Sequence, residues 1–157
     1  MDSKLRLQSI GLLIGYGIQF LAGMLLNLFV TIPINHPGRN APNYFRGGFH
    51  GLIWALSNHG GWELSVHVYL AVLLVLGSVS LFVSAVTVRN KNWSITGAIA
   101  ALLTIGAFFN GISFINYNHS ISSMIMATCW LGAVGSLVFG ITKFTNKPTK
   151  HPILAAK

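Results

Sequence analysis

Residues 62–91 read WELSVHVYLAVLLVLGSVSLFVSAVTVRNK. Within 62–88 the only side chains that can carry charge near neutral pH are Glu63 and His67, both close to the start, and the run closes on Arg89-Asn90-Lys91. An α-helix rises about 1.5 Å per residue, so roughly 20 apolar residues bridge the hydrocarbon core of a bilayer. This run is longer than that. Backbone polar groups in lipid must be paired within the segment, which a helix achieves. The segment is therefore predicted to be a membrane-spanning helix.

Working outward, three further runs meet the same test: residues 8–32, closed by Pro33 and Pro37, residues 94–115, and residues 120–142, closed by Lys143. The expected fold class is all-α: one four-span integral membrane domain over 1–157, with no separate soluble domain or internal repeat. The one long connection, 33–61, is rich in Pro, Gly and Asn. Within it Tyr44-Phe45 and Phe49 to Leu56 are expected to form a short helix at the interface. Glycines recur at helix-packing spacing (Gly11 with Gly15, Gly106 near Gly111, then Gly132, Gly135 and Gly140), which suits helices that approach closely in lipid.

Composition agrees. Of 157 residues, 53% are hydrophobic and 8% charged, against about a quarter charged in soluble domains. Asp2 and Glu63 are the only acids. The net charge of +8 does not indicate a nucleic-acid partner, because the cations lie in short segments between apolar runs and form no basic stripe. The single cysteine, Cys129, excludes an intramolecular disulfide and any multi-thiolate metal site. The first apolar run exceeds a signal-peptide core, so no cleavable leader is expected.

The cations orient the chain. Lys4, Arg6, Arg89, Lys91, Lys143, Lys147, Lys150 and Lys157 fall on one side, and Arg39 and Arg46 on the other. Cytoplasmic connections carry the excess of Lys and Arg, which puts both termini in the cytoplasm and 33–61 outside, in a multi-pass protein of the cell membrane. Trp54, Trp62, Tyr69 and Tyr117 are then expected in an outer aromatic belt and Trp93 in an inner one.

His36, His50, His59, His67 and His119 all map to the outer side; His151 lies in the tail. His67 sits about five residues inside the second span and His119 opens the fourth. These two helices are diagonal in an up-down bundle, so the two imidazoles are placed to serve as axial ligands of a haem iron. Taken singly, each has a plainer reading: His67 as an interfacial ring bonded to a nearby amide or backbone group, His119 as the helix-start residue of the polar turn Asn116-Tyr117-Asn118. His59, Glu63 and His67 fall at i, i+4 and i+8, a spacing that can ligate zinc or copper if the helix is continuous, but Gly60-Gly61 is expected to interrupt it. His59 and His50 are thus lesser ligand candidates. Glu63 suits the N-terminal end of its helix, or a place beside a ligating histidine. With a haem, Arg39 and Arg46 would meet its propionates, and Gly106 and Gly111 would leave room for the macrocycle.

Glu63-Leu64-Ser65-Val66-His67, with Asn110-Gly111 and then His119, resembles one four-helix half of the haem A synthase family, whose second and fourth helices carry haem-ligating histidines behind a Glu-x-x-His motif. Here one more residue separates Glu63 from His67, and Val68 follows where the family has arginine. The resemblance therefore implies a b-type haem bundle and not haem A synthesis.

Two functional expectations follow. One is a haem b protein passing electrons between a quinol-level donor and an outer acceptor. The other is a non-catalytic accessory subunit of a larger respiratory, oxidase or monooxygenase complex, partnered by other membrane subunits or by its own copies. A transporter is disfavoured because the spans hold no Lys, Arg or acid other than Glu63. In a variant lacking Cys129, a membrane-impermeant thiol reagent added from outside should modify a cysteine placed at Asn40 and spare one at Asn90. The opposite pattern would invert the assignment of every histidine.

Overall fold

The structure, a computed structural model, describes residues 2–33, 35–39 and 41–144. His151 and three of the counted cations, Lys147, Lys150 and Lys157, lie outside the described residues. Five helices make up the described chain: α1 (Asp2–Phe29), α2 (Tyr44–Leu56), α3 (Trp62–Thr87), α4 (Lys91–Tyr117) and α5 (Ser120–Phe144). All but α2 are long and apolar enough to cross a membrane. Among the described residues there is no strand.

Local chemistry sets the ends. Asn43 caps α2, its side-chain oxygen accepting from Arg46 N–H at 3.0 Å, and Asn90 caps α4 in the same way from Trp93 N–H at 3.2 Å. Such caps satisfy donors that the first turn leaves unpaired. Asn118 ends α4 in the left-handed region (φ 53°) and returns its N–H to Phe114 O at 2.8 Å, a conformation Asn tolerates better than most residues. Gly61 (φ 95°) precedes α3, so the helix begins after His59. The expected break at Gly60-Gly61 is there, and His59, Glu63 and His67 do not share one helix. The first long helix runs from Asp2 and not from residue 8, because polar residues continue a helix outside lipid as readily as apolar ones continue it inside.

The long helices form an up-down-up-down bundle. Antiparallel pairing of α1 with α3 shows in Gln8–Ser80, Tyr16–Ser78 and Gln19–His67 contacts, and that of α4 with α5 in Ser113–Ser122 and in Gly140 against Thr96. α3 also packs along α4, and α1 only thinly on α5. α3 and α5 therefore stand diagonally, as expected. Large side chains such as Leu21, Leu73, Leu102 and Leu131 point outward, each more than 60% exposed, a surface that fits a lipid bilayer and would be a liability in water.

Halfway along the axis, Tyr16, Ser78 and Thr104 meet. The Tyr16 hydroxyl bonds Ser78 Oγ at 3.1 Å and also Thr104 Oγ1, while Ser78 and Thr104 return protons to Leu74 O and Ala100 O. Trp130 of α5 donates its indole N–H to Tyr16 O at 3.1 Å. From this node toward the α1 start, the axis is filled by Leu5, Leu12, Leu81, Ala85, Trp93 and Leu137, all buried. Toward α2 the positions Gln19, Gly23, His67, Gly111 and Met126 are only half-buried, and the buried core lies instead around Trp54, Leu64, Val68 and Ile115.

α2 lies across the start of α3 and the end of α4. Its protein-facing side is Gly47, Gly48, Gly51, Trp54 and Ala55, and its opposite side exposes Phe45, Phe49 and Ile53. Missing side chains let the backbones close up. A Cβ on Gly48 would meet Ile112 at 3.1 Å, and one on Gly51 would collide with the Asn116 side chain. Gly38 (φ 97°) has Gly47 O and Gly51 N in the space a Cβ would take. His36 fastens the same corner, stacking on Trp54 (4.6 Å, 22°) with Nε2 3.1 Å from Ile115 O.

Two sequence expectations need correction. Trp54 and Trp93 are buried (9% and 1% exposed), so neither stands in an aromatic belt; both are large enough to fill the gaps left by the glycine-faced contacts. Trp62 and Tyr69 are exposed. Of the glycines read as packing residues, Gly15, Gly106, Gly111, Gly132 and Gly140 do meet a neighbouring helix, but Gly11 and Gly135 meet nothing.

Overpacking a tight site costs about 1–3 kcal/mol, and Gly38→Ala adds left-handed strain. Gly38→Ala and Gly51→Ala should each lower the melting temperature in detergent by several degrees. Gly11→Ala and Gly17→Ala, where a Cβ meets nothing, should leave it unchanged or raise it through helix propensity. Equal effects at all four positions would contradict the described packing.

Candidate functional site

His67 lies on α3 in register with Leu74, Ser78, Leu81 and Ala85, the buried face of that helix. Its ring therefore turns inward. It meets α1 where Gly23 has no side chain: a Cβ on Gly23 would lie 3.1 Å from His67 Cε1. One turn earlier on α1, the Gln19 amide nitrogen sits 3.1 Å from His67 Nε2. The bond to a neighbouring amide is the plainer of the two readings offered for this residue.

That bond leaves two polar atoms over. His67 Nδ1 and Gln19 Oε1 are both buried with no hydrogen-bond partner. If the amide donates to Nε2, Nδ1 carries the proton and is an unpaired donor while Oε1 is an unpaired acceptor. If the amide is flipped, Nδ1 is the acceptor and the NH2 group the donor. Either assignment leaves one donor and one acceptor. Each buried unpaired group costs about 1–3 kcal/mol.

His119 is elsewhere. It precedes α5, is exposed, stacks on Tyr117 (6.0 Å, 20°) and accepts the Ser122 N–H at 3.0 Å. It is the helix-start residue of a polar turn. The two imidazoles do not face one another across the core: one is seated in the α1–α3 seam and the other is at the exposed head of α5. Gly106 and Gly111, expected to leave room for a macrocycle, are met by Cys129 and Met126 at 3.4 Å from an ideal Cβ. A haem held between His67 and His119 does not fit this arrangement of side chains.

The remaining candidates are scattered around the α2 end. His59 bonds Ser57 Oγ at 2.7 Å, and His50 is exposed on α2. Arg46 is exposed and Arg39 half-buried; Glu63 stands in the first turn of α3, where a negative charge is favoured, and makes no ion pair among the described residues. No three His, Cys, Asp or Glu side chains converge as a metal site among the described residues.

Gln19 was not singled out by the sequence, although a signal was present. It is an amide well inside an apolar run that also holds Asn27, and an amide in a span needs a partner. Asn116, expected in a polar turn, lies instead in the last turn of α4, 1% exposed with both side-chain polar atoms unpaired. It is pressed against Gly51. The chain matches no protein-family model, no curated protein and no solved structure.

Proposed function

We propose that the chain is a multi-pass protein of the cell membrane, with both termini cytoplasmic, that binds a hydroxyl-bearing redox ring of the quinol class in the α1–α3 seam. The observation that supports this most is the pair of buried, unpartnered atoms His67 Nδ1 and Gln19 Oε1. A phenolic hydroxyl accepts one bond and donates another, so it answers one donor and one acceptor under either amide assignment. A quinone carbonyl only accepts and would leave one of the two groups unpaired. The seam should therefore prefer the reduced ring. His67 lies about five residues, or roughly 7.5 Å, below the head of α3. On the cation count that is the outer leaflet, a depth where a polar ring with an apolar tail would reside.

Haem b is the second reading, favoured by the inward turn of His67 and its free ring nitrogen. His67 would then be an iron ligand, with Arg39 and Arg46 on the propionate side and Glu63 nearby. The iron would supply a one-electron carrier. That reading needs the α4–α5 turn to bring His119 inward from its exposed position.

With purified protein in lipid nanodiscs, decylubiquinol should quench tryptophan fluorescence saturably and bind more tightly than decylubiquinone. His67→Ala and Gln19→Leu should each weaken quinol binding about tenfold, the equivalent of about 1.4 kcal/mol, and His119→Ala should not. Quinol binding that ignores His67 and Gln19, or no binding at all, would defeat the proposal and leave a trapped water as the seam's occupant. A Soret band in the purified protein, lost in His67→Ala and in His119→Ala, would instead establish haem. Absence of both ligands would favour the accessory-subunit reading.

A further inference from the structure

At the end of the bundle opposite α2, the surface of the α4–α5 seam carries an open groove of about 440 Å³. One wall is Asn92, Ile95 and Ile99 of α4, a single helical face; the other is Gly135, Ser136 and Phe139 of α5. The groove stays open because Gly135 is bare: a Cβ there would meet nothing within 4 Å. From Asn92 to Ile99 it runs about 10 Å along the bundle, the length of half an acyl chain. Its walls are mostly apolar, and Asn92 puts a polar side chain at the mouth, by the start of α4.

The mouth is also cationic. Lys143 lies one turn beyond Phe139 and two beyond Ser136 on the same face of α5. Lys91 precedes Asn92, and Arg89 stands in the adjoining turn with φ 54°; all three cations are exposed. No acid lies on α4, α5 or the turn before α4, since Glu63 is at the far end of α3 and Asp2 begins α1. This concentration of charge has no counter-charge on the helices that form the groove.

We infer that the α4–α5 groove is a binding site for an anionic phospholipid, with one acyl chain laid along Ile95, Ile99 and Phe139 and the phosphate held by Lys143 and Lys91. The apolar walls select a chain, and the uncompensated cations select a headgroup. Basic side chains near a charged leaflet each strengthen such binding. A zwitterionic lipid gains the first contribution and little of the second. Occupancy of this groove is independent of the α1–α3 seam and of its proposed ligand.

Native mass spectrometry of the full chain, released from nanodiscs of equal parts phosphatidylglycerol and phosphatidylcholine, tests the assignment. One phosphatidylglycerol should be retained in preference to phosphatidylcholine by at least tenfold. Lys91→Gln with Lys143→Gln should abolish the preference while leaving the protein folded by circular dichroism. Gly135→Leu, which fills the groove and keeps the charges, should abolish retention of either lipid. Equal retention of the two lipids by the unaltered protein, or an undiminished preference in Gly135→Leu, would overturn the site. So would efficient disulfide cross-linking of Gly135→Cys copies in a Cys129→Ser background, which would give the groove to a second copy of the chain.

Discussion

A hydroxyl surrounded by hydrocarbon can be paired only by the protein, and the contact among Tyr16, Ser78 and Thr104 meets that requirement for α1, α3 and α4 together. Trp130 brings α5 to the same level through the Tyr16 carbonyl. In lipid, helices gain little by burying apolar surface against one another, since the tails are as apolar as leucine. Polar bonds and close packing must therefore fix the register. With Tyr16 opposite Ser78, an antiparallel α1 and α3 place Gln8 near Ser80 in one direction and Gln19 near His67 in the other. The candidate site thus inherits its geometry from a node more than two helical turns away along α3.

The two halves on either side of that node differ in how they are filled. Toward the α1 start, leucines, alanines and Trp93 close the axis. Toward α2 the core shifts sideways, to Trp54, Ala55, Leu64, Val68 and Ile115 beneath the short helix. Glycines on α2 allow that shift by bringing its backbone onto α4, and His36 clamps the preceding loop against Trp54 and the last turn of α4. With α2 drawn to the α3–α4 side, the α1–α3 seam at the same level is left without a lid. His67 and Gln19 lie in that seam, each with one buried polar atom unpaired.

The four spans were legible because hydrophobic length is a one-dimensional property, readable without knowing what each helix touches. Break points were legible too, as Gly60-Gly61 and the polar turn before His119 carry their own backbone chemistry. What was hidden is which side of each span faces inward. A spanning helix is apolar on both its lipid and its protein sides, so the period-3.6 contrast that marks an amphipathic helix in water is nearly absent. Tyr16 and Gln19 both face α3, but nothing in the apolar run around them marks that side. Trp54 and Trp93 were given to the interfaces by residue type alone, but their rings were needed in the core. His36 was one loop histidine among several until the loop closed over it.

The contrast between His67 and His119 shows what pairs of residues require beyond matched depth. Both stand at the α2 end of the bundle, on diagonal helices. The ring of His67 is drawn into the bundle by two features of α1, the missing side chain at Gly23 and the amide at Gln19. Nothing comparable draws in His119. Its neighbours Tyr117 and Ser122 hold the ring and carbonyl at the start of α5, and the left-handed Asn118 sets the direction of the turn before it. An inward histidine with one partnered and one free nitrogen, beside an amide with its own free oxygen, is a hydrogen-bonding device before it is a metal ligand. A ligand able to give and accept one bond each suits it better than a cation, which would satisfy the imidazole only in its unprotonated form and would leave the amide's donor unanswered.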